Sequence, residues 1–500
     1  MKKQVQKNNL PHVIYLLSDE HNPRAMSHMG DPNVRTPVMD RLAREGVSFA
    51  RSYANCPLCT PSRGTIFSGR HAHSGPVSGF FDVYKATAPS TATLLRREGY
   101  HSAYFGKWHC GTYPNQRSEE VLRNPEAYKG NSARTPEHHR AGFQDWRGFE
   151  NLNQHFASYY YKDHEPDPIK LEGYETDGQT NLVIDYLKNY EREEPLFLVL
   201  SVTPPHFPLV VPEKWKRFDP AKLAVRENFG RLDDWFVFNP ETSEADLREC
   251  LANYYAMIEN LDWNLGRLMD TLAGLEQFRD NTLTVYFSDH GDYMGSHGLF
   301  NRKESHFEES VRIPAIFHWP GRIPARGVVD EGLFSLVDLM PTILGLVQAT
   351  VPPHSQGADF SPLLRGEPFA GPDAVLLEMH NIPRWDLSFI DWRGLVSKKW
   401  KYVFCETGRE GLWDLENDPG ELRNVAAEQP AECAAMRRKL LDLLRATREP
   451  YFDVLIEHGA KVEEPVLDVA THPAPRQVWI TRPPKPGERG RTDGSHPGLT

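Results

Sequence analysis

No stretch of this 500-residue chain approaches the roughly 20 consecutive apolar residues that a membrane helix needs. Long basic runs are missing too, and 57 Lys+Arg against 68 Asp+Glu leave a formal net charge of −11. Neither a membrane nor a nucleic acid is therefore expected as a partner. Cysteine is scarce: Cys56, Cys59, Cys110, Cys250, Cys405 and Cys433 are scattered, unlike the dense framework of a disulfide-stapled secreted domain. The N-terminus is basic, but the apolar run at residues 13–17 is too short for a signal-peptide core and lacks a small-residue cleavage site. A cytoplasmic location is the expectation.

What is present describes a large globular protein. Hydrophobic residues make up 39 % and charged residues 25 %, enough to build a sizeable core but over a length too great for one small one. Twenty-one histidines are a mild excess that tilts toward metal or acid–base chemistry.

Apolar runs and helical patterns alternate along the chain. Residues 12–17 read as a buried parallel strand, bounded by Pro11 and by Ser18-Asp19-Glu20-His21. Thr36 as N-cap, Pro37 at the first position and Gly46 past the end frame a helix. Residues 47–49 form a short strand, 91–97 a helix capped by Ser90, and 101–105 a strand ending at Gly106-Lys107-Trp108-His109. Residues 180–190 look helical, and 195–201 form a buried strand ending at Pro204-Pro205-His206. Ser243 and Asp246 resemble a capping box opening a long helix, with Leu247, Leu251, Tyr254, Ile258, Leu261, Leu265 and Leu268 at helical spacing. Residues 282–287 are a strand ending at Ser288-Asp289-His290-Gly291-Asp292, and 336–346 a further helix. Beyond about residue 380 the pattern becomes short strands, at 392–404 and 411–415, and one amphipathic helix at 428–448. This predicts an α/β domain over 1–380, an α+β subdomain over 381–460, and an extended tail over 461–500 that either wraps the body or joins a neighbouring copy in a homo-oligomer.

Four predicted strands thus end in chemically able residues: Asp19 and Glu20, Lys107 and His109, His206, Asp289 and His290. Open α/β sheets bind ligands outside the carboxyl ends of their strands, so a site is expected there.

Cys56-Pro57-Leu58-Cys59 has CxxC spacing. A zinc or redox reading wants a second pair or a thioredoxin-like setting, and no second CxxC occurs. The longer run Cys59-Thr60-Pro61-Ser62-Arg63-Gly64-Thr65, closing at Ser68-Gly69-Arg70, resembles the signature of the formylglycine-dependent sulfatases. So do Asn33 to Phe49, Gly106-Lys107-Trp108-His109, Ser288 to Asp292 with Gly295, His297-Gly298 and Lys303, Val337 to Thr342, and Leu412 to Glu421. In order, these matches cover roughly residues 12–425.

The resemblance implies an alkaline-phosphatase-like fold: a central, mostly parallel sheet between helices, with a smaller C-terminal sheet alongside. It implies hydrolysis of an organic sulfate ester, on a small molecule or a saccharide, to alcohol and inorganic sulfate. It further implies that a formylglycine-generating enzyme oxidises Cys59 to an aldehyde whose hydrate, a gem-diol, attacks sulfur. A diol can expel sulfate by reforming its C=O, which a serine or thiol cannot do. Asp19, Glu20, Asp289 and His290, with the oxidised Cys59, match the family's ligands for a divalent cation. Carboxylate ligands suit Ca²⁺, while His290 also suits Mn²⁺, with Mg²⁺ a further alternative. By the same resemblance Arg63 holds the diol's charge, Lys107 and Lys303 contact sulfate, His109 is the base for elimination, and His206 protonates the leaving oxygen. His21 and His73 are candidate pocket residues.

Two other readings stand beside this one. Glu20 replaces the family's more usual second Asp, and with His290 it leans toward the related phosphonate monoester and phosphodiester hydrolases. A metal-binding relative with unmodified Cys59 and no catalysis is the other.

Overall fold

The computed structural model describes residues 10–80, 82–111, 134–231, 243–299, 303–379 and 391–449. Its centre is four long strands: β1 (His12–Asp19), β2 (His101–Lys107), β3 (Leu196–Pro205) and β4 (Thr282–Ser288). They lie side by side in the order β4-β1-β3-β2, all parallel, with Asp145–Phe149 parallel beyond β2. The sheet continues on both flanks through shorter, mainly antiparallel strands to ten in all.

Both faces of the parallel core are buried, which explains why its strands read as continuous apolar runs. Along β1, Val13, Tyr15 and Leu17 point into one core and Ile14 and Leu16 into the other, the period-two alternation of a strand. The second core is covered by α1 (Pro37–Glu45) through Met39 and Leu42, and by two long helices described below. The first core is filled by α2 (Cys59–Ser68) through Ile66 and Phe67, and by α3 (Thr91–Arg97) through Leu94 and Leu95. The covering helices of the second core are α4 (Glu175–Lys188), through Val183 and Leu187, and α5 (Glu244–Gly274), through Leu261, Leu265 and Leu268.

The caps fall where side-chain chemistry places them. Ser90 and Thr93 form a reciprocal capping box on α3, and Ser243 accepts from the Asp246 N–H at the start of α5. Thr36 precedes α1, yet its hydroxyl makes no cap bond. Asp262 of α5 takes that role across the interface, accepting from the Val38 and Met39 N–H groups at 3.1 and 2.8 Å.

Two helices differ in particular from their predicted form. The helix expected at 180–190 begins at Glu175, because Gly178 and the polar residues around it hide the first turn and a half. The helix expected at 336–346 is a 3-10 turn, Leu336–Asp338, followed by a regular helix, Leu339–Leu346.

The smaller sheet has four antiparallel strands in sequence order, Ala374–Met379, Trp392–Ser397, Trp400–Cys405 and Glu410–Asp414. The helix Pro430–Thr447 packs Cys433, Leu440 and Leu444 on one of its faces. Its other face joins the large domain through Val375, Leu377 and Trp413 against Tyr53, Cys56 and Phe307. The tail expected at 461–500, and with it the contact with a neighbouring copy, lies outside the described residues. Among the described residues no helix is long and apolar enough to cross a membrane.

Candidate active site

Because β1 to β4 run parallel, their carboxyl ends share one edge of the sheet. Asp19 is the last residue of β1 and Lys107 the last of β2, while His206 follows β3 and Asp289 and His290 follow β4. Two close approaches shape this edge. Gly106 has φ +95°, and a Cβ there would lie 1.9 Å from the Ser201 carbonyl oxygen, so only glycine lets β2 turn out beside β3. On α2, a Cβ at Gly64 would lie 2.5 Å from the Val77 Cβ. Every residue of α2 is buried, and its first residue, Cys59, is delivered to the sheet edge.

There Asp19, Cys59, Asp289 and His290 converge, with one ligand atom from each within 4.8 Å of the others and all four residues buried. Cys59 Sγ lies 3.2 Å from His290 Nε2 and 3.7 Å from Asp19 Oδ1. Arg63, one helical turn along from Cys59, is fully buried and acts as the hub of the site. Its Nε donates to Asp289 at 3.0 Å and an Nη to Asp19 at 3.1 Å, while the other Nη reaches the Lys107 carbonyl at 2.7 Å and Ser201 Oγ at 2.9 Å. One guanidinium therefore stitches α2 to the ends of all four strands. Lys107 Nζ adds an ion pair to Asp19 at 2.6 Å.

Electrostatics in this pocket are set by crowding. Burial alone would raise the Asp19 pKa, but Lys107, His206, Arg63 and His290 together hold it well below the usual carboxylate range. Burial disfavours charge on His290 as well, yet Asp289 and Cys59 beside it raise its pKa to about 10. Two carboxylates, one imidazole and the residue 59 side chain around one point are a donor set that fits a divalent cation.

A second group adjoins the first: Asp19, Glu20 and His206. Glu20 has φ +67°, which turns the chain immediately after β1. Its carboxylate accepts from Lys303 Nζ, and that same Nζ lies 2.9 Å from His206 Nε2. The structure thus places Glu20 beside Lys303 and His206 rather than in the four-residue cluster, because the reversed backbone points its longer arm the other way. His206 Nδ1 donates to the Phe207 carbonyl at 2.6 Å, which leaves Nε2 as the acceptor facing Lys303. Burial, with Lys303 and Lys107 nearby, holds the His206 pKa well below its ordinary value. Lys303 goes the other way: burial opposes its charge, but Cys59, Glu20 and Asp19 outweigh that and keep it protonated. His109, at φ +60°, is buried against Phe80, and burial followed by the charges of Lys107 and Arg63 depresses its pKa strongly.

Two sequence candidates lie apart from these groups. The His21 ring is held by the Tyr286 hydroxyl at 2.5 Å and faces the Ala25 carbonyl. His73 binds Glu378 at 2.7 Å and the Thr447 carbonyl at 3.1 Å, tying the loop after α2 to the small domain. Cys56 packs into the apolar interface between the domains, and all six cysteines are free and buried. Tyr254, read from sequence as a core position of α5, also supports the site: its hydroxyl donates to the Glu20 carbonyl at 2.5 Å and accepts from the Asn22 N–H. Only the hydroxyl on an otherwise apolar helix face signals that role.

A family model described as Sulfatase matches residues 11–349. The chain belongs to the sulfatase family. A second model, the C-terminal region of N-sulphoglucosamine sulphohydrolase, matches residues 295–449. Among curated sulfatases, an ulvan-active sulfatase of Formosa agariphila is 28 % identical over 87 % of this chain and 81 % of its own length. A solved structure connected with metabolism of multiple glycosaminoglycans by Bacteroides thetaiotaomicron superposes with TM-score 0.78 at 25 % identity, covering 90 % of this chain and 99 % of that one. A phosphonate monoester hydrolase of Agrobacterium radiobacter shares the fold, with TM-score 0.69 at 24 % identity over 87 % of this chain and 96 % of that one. With the buried cluster at the sheet edge, this family places the chain among hydrolases of the sulfatase type in the alkaline-phosphatase superfamily.

Proposed function

We propose that this sulfatase hydrolyses a sulfate ester, on a saccharide or a small molecule, to an alcohol and inorganic sulfate. The observation that carries the reading is the meeting of Asp19, Cys59, Asp289 and His290 at the carboxyl edge of the sheet. Asp19, Asp289 and His290 would hold a divalent cation, Ca²⁺ first and Mn²⁺ or Mg²⁺ otherwise, with Glu20 adjacent. Bound there, the cation would withdraw charge from the sulfuryl oxygens. Oxidation of Cys59 by a formylglycine-generating enzyme would supply a hydrated aldehyde as the oxygen nucleophile.

The chain's own residues do the rest. Arg63 orients both acidic residues through separate nitrogens and brings positive charge to the foot of the nucleophile. Lys107 and Lys303 line the site as cations for an anionic group. His109, kept neutral by its surroundings, serves as the base for elimination. The proton for the leaving oxygen rests on the Lys303–His206 pair, whose nitrogens are 2.9 Å apart. The saccharide preference rests on the relatives that act on ulvan and on glycosaminoglycan metabolism.

The second reading, a phosphonate monoester or phosphodiester hydrolase, draws on His290 in the cluster and on the shared fold. Rates on p-nitrophenyl sulfate and on phenyl p-nitrophenyl phosphate separate the two, combined with peptide mass spectrometry around residue 59. The sulfatase reading expects higher kcat/KM on the sulfate, an oxygen in place of the Cys59 sulfur, and no turnover in Cys59→Ala or Cys59→Ser. Faster diester hydrolysis would refute the substrate. An unmodified thiol in active protein would refute the mechanism.

A further inference from the structure

His206 stands on a turn held by two buried residues that no step above uses. Within the turn, the His206 N–H donates to the Thr203 carbonyl at 3.0 Å. From outside it, Glu175 Oε1 accepts from the Thr203 N–H at 3.0 Å, and His155 Nε2 meets the His206 carbonyl at 3.0 Å. These two braces are joined to each other. His155 Nδ1 binds Glu175 Oε2 at 3.0 Å, the Glu175 N–H donates to the His155 carbonyl at 2.7 Å, and the Ser158 hydroxyl adds a bond to Oε2 at 3.3 Å. Glu175 is 0 % exposed and His155 1 %, so water does not compete for these bonds.

The chemistry of the brace is informative. His155 is held through both ring nitrogens, one on Glu175 and one on the His206 carbonyl. A buried carboxyl–imidazole pair is costly to assemble and adds little net stability. What it adds is fixed geometry, since each partner has one arrangement that satisfies all its bonds. Here that geometry is the height and rotation of the residue that faces Lys303.

We infer that Glu175 and His155 are positioning residues for leaving-group protonation: by fixing both ends of the turn at residues 203–206, they hold His206 Nε2 against Lys303 Nζ. The inference rests on the sulfatase reading and on His206 and Lys303 as its proton-donating pair. Glu175→Gln keeps an oxygen for the Thr203 N–H but loses the charge that pairs with His155. His155→Asn removes the bond to the His206 carbonyl. Both leave the four-residue cluster and Arg63 untouched.

The test is a series of aryl sulfates from p-nitrophenyl to p-methoxyphenyl, with kcat and KM measured for wild type and the two variants. A nitrophenolate departs without a proton, whereas a methoxyphenolate needs one. Displacing an acid by about 1 Å costs about 100-fold. Each variant is therefore expected to lose about 100-fold in kcat on p-methoxyphenyl sulfate and to stay within about threefold of wild type on the p-nitrophenyl ester, with KM unchanged. Activity on the p-nitrophenyl ester is then also the proof that the variant is folded. Equal losses across the series would overturn the inference, since a purely structural role predicts them. If neither variant folds, Ser158→Ala, which removes one bond to Glu175, must show the same steepening to a smaller degree. An even response there overturns the inference as well. Failure of the underlying reading looks different: wild type turns over no aryl sulfate, or His206→Ala loses equally on every ester.

Discussion

Glu309 offers a measurement of how the site's surroundings are held. It is fully buried in the short helix Glu308–Val311. Its Oε1 accepts from Arg24 at 2.8 Å and from the Asn228 amide at 3.1 Å, and its backbone carbonyl accepts from Asn22, two residues past Glu20. Burial would raise its pKa, but Arg24, His297 and Arg226 outweigh that and bring it from 4.5 to about 2. At about 1.4 kcal/mol per pH unit this depression corresponds to about 3 kcal/mol of folding stability. The sign follows from the direction. A depressed carboxyl pKa contributes fully above the unfolded value of 4.5, and the contribution is lost as pH falls toward about 2. Glu309→Gln has the shape of the protonated acid and none of its charge. The variant should therefore be less stable than wild type by about 3 kcal/mol at neutral pH, with the gap closing as pH drops from 4.5 toward 2. Denaturant midpoints of both proteins, measured in parallel from pH 7 downward, test this, because every other acid titrates in both. A gap that stays constant with pH, or widens in acid, would refute the assignment of the charge–charge contacts as its source.

Two further outcomes are expected. Arg63→Lys keeps the charge but cannot reach Asp19, Asp289, Ser201 and the Lys107 carbonyl at once. Losing at least two charge-assisted bonds at about 1.5–3 kcal/mol each should lower kcat/KM by 100-fold or more, while far-UV circular dichroism is retained; near-normal activity would contradict Arg63 as the hub. Exhaustive chelation should abolish turnover and lower the thermal midpoint, because Asp19 and Asp289 would lose a counter-charge. Restoration by Ca²⁺, Mn²⁺ or Mg²⁺, compared in kcat, then identifies the ion, and indifference of both readouts to chelation would remove the metal.

The sequence was most legible where local chemistry and global position agree. Residues 12–17 and 282–287 are apolar throughout because both sheet faces are covered, and the polar residues after them mark where cover ends. Hence the strand-end rule located Asp19, Lys107, His206 and Asp289 before any geometry was known. His21 and His73 were candidate pocket residues, and their rings bond Tyr286 and Glu378. Proximity along the chain cannot tell which way a ring points. The His155–Glu175 brace was invisible for a related reason: its partners are 20 residues apart in sequence, and neither sits at the end of a long strand. Glu175 further lay in a stretch whose glycine masked the start of α4.

Glu20 shows how one backbone angle divides two adjacent carboxylates between two tasks. In a strand continuing straight, residues 19 and 20 would face opposite sides of the sheet. The strand instead ends at Asp19, and the left-handed φ of +67° at Glu20 keeps both side chains at the carboxyl edge but on different neighbours. Asp19 goes to Arg63, Lys107 and the cluster. Glu20 goes to Lys303, with His206 3.5 Å away. A non-glycine residue at this φ is strained, and the bond from the Tyr254 hydroxyl to the Glu20 carbonyl is one of the contacts that holds it there. The consequence is electrostatic. Burial and the neighbouring cations oppose charge on Lys303, and Glu20 is one of the groups, with Cys59 and Asp19, that outweigh them. With Glu20 beside it, Lys303 keeps its proton within 2.9 Å of the His206 imidazole. In the proposed reaction the longer acidic side chain at this position would serve the protonation half through Lys303, beside the cation that Asp19, Asp289 and His290 would hold.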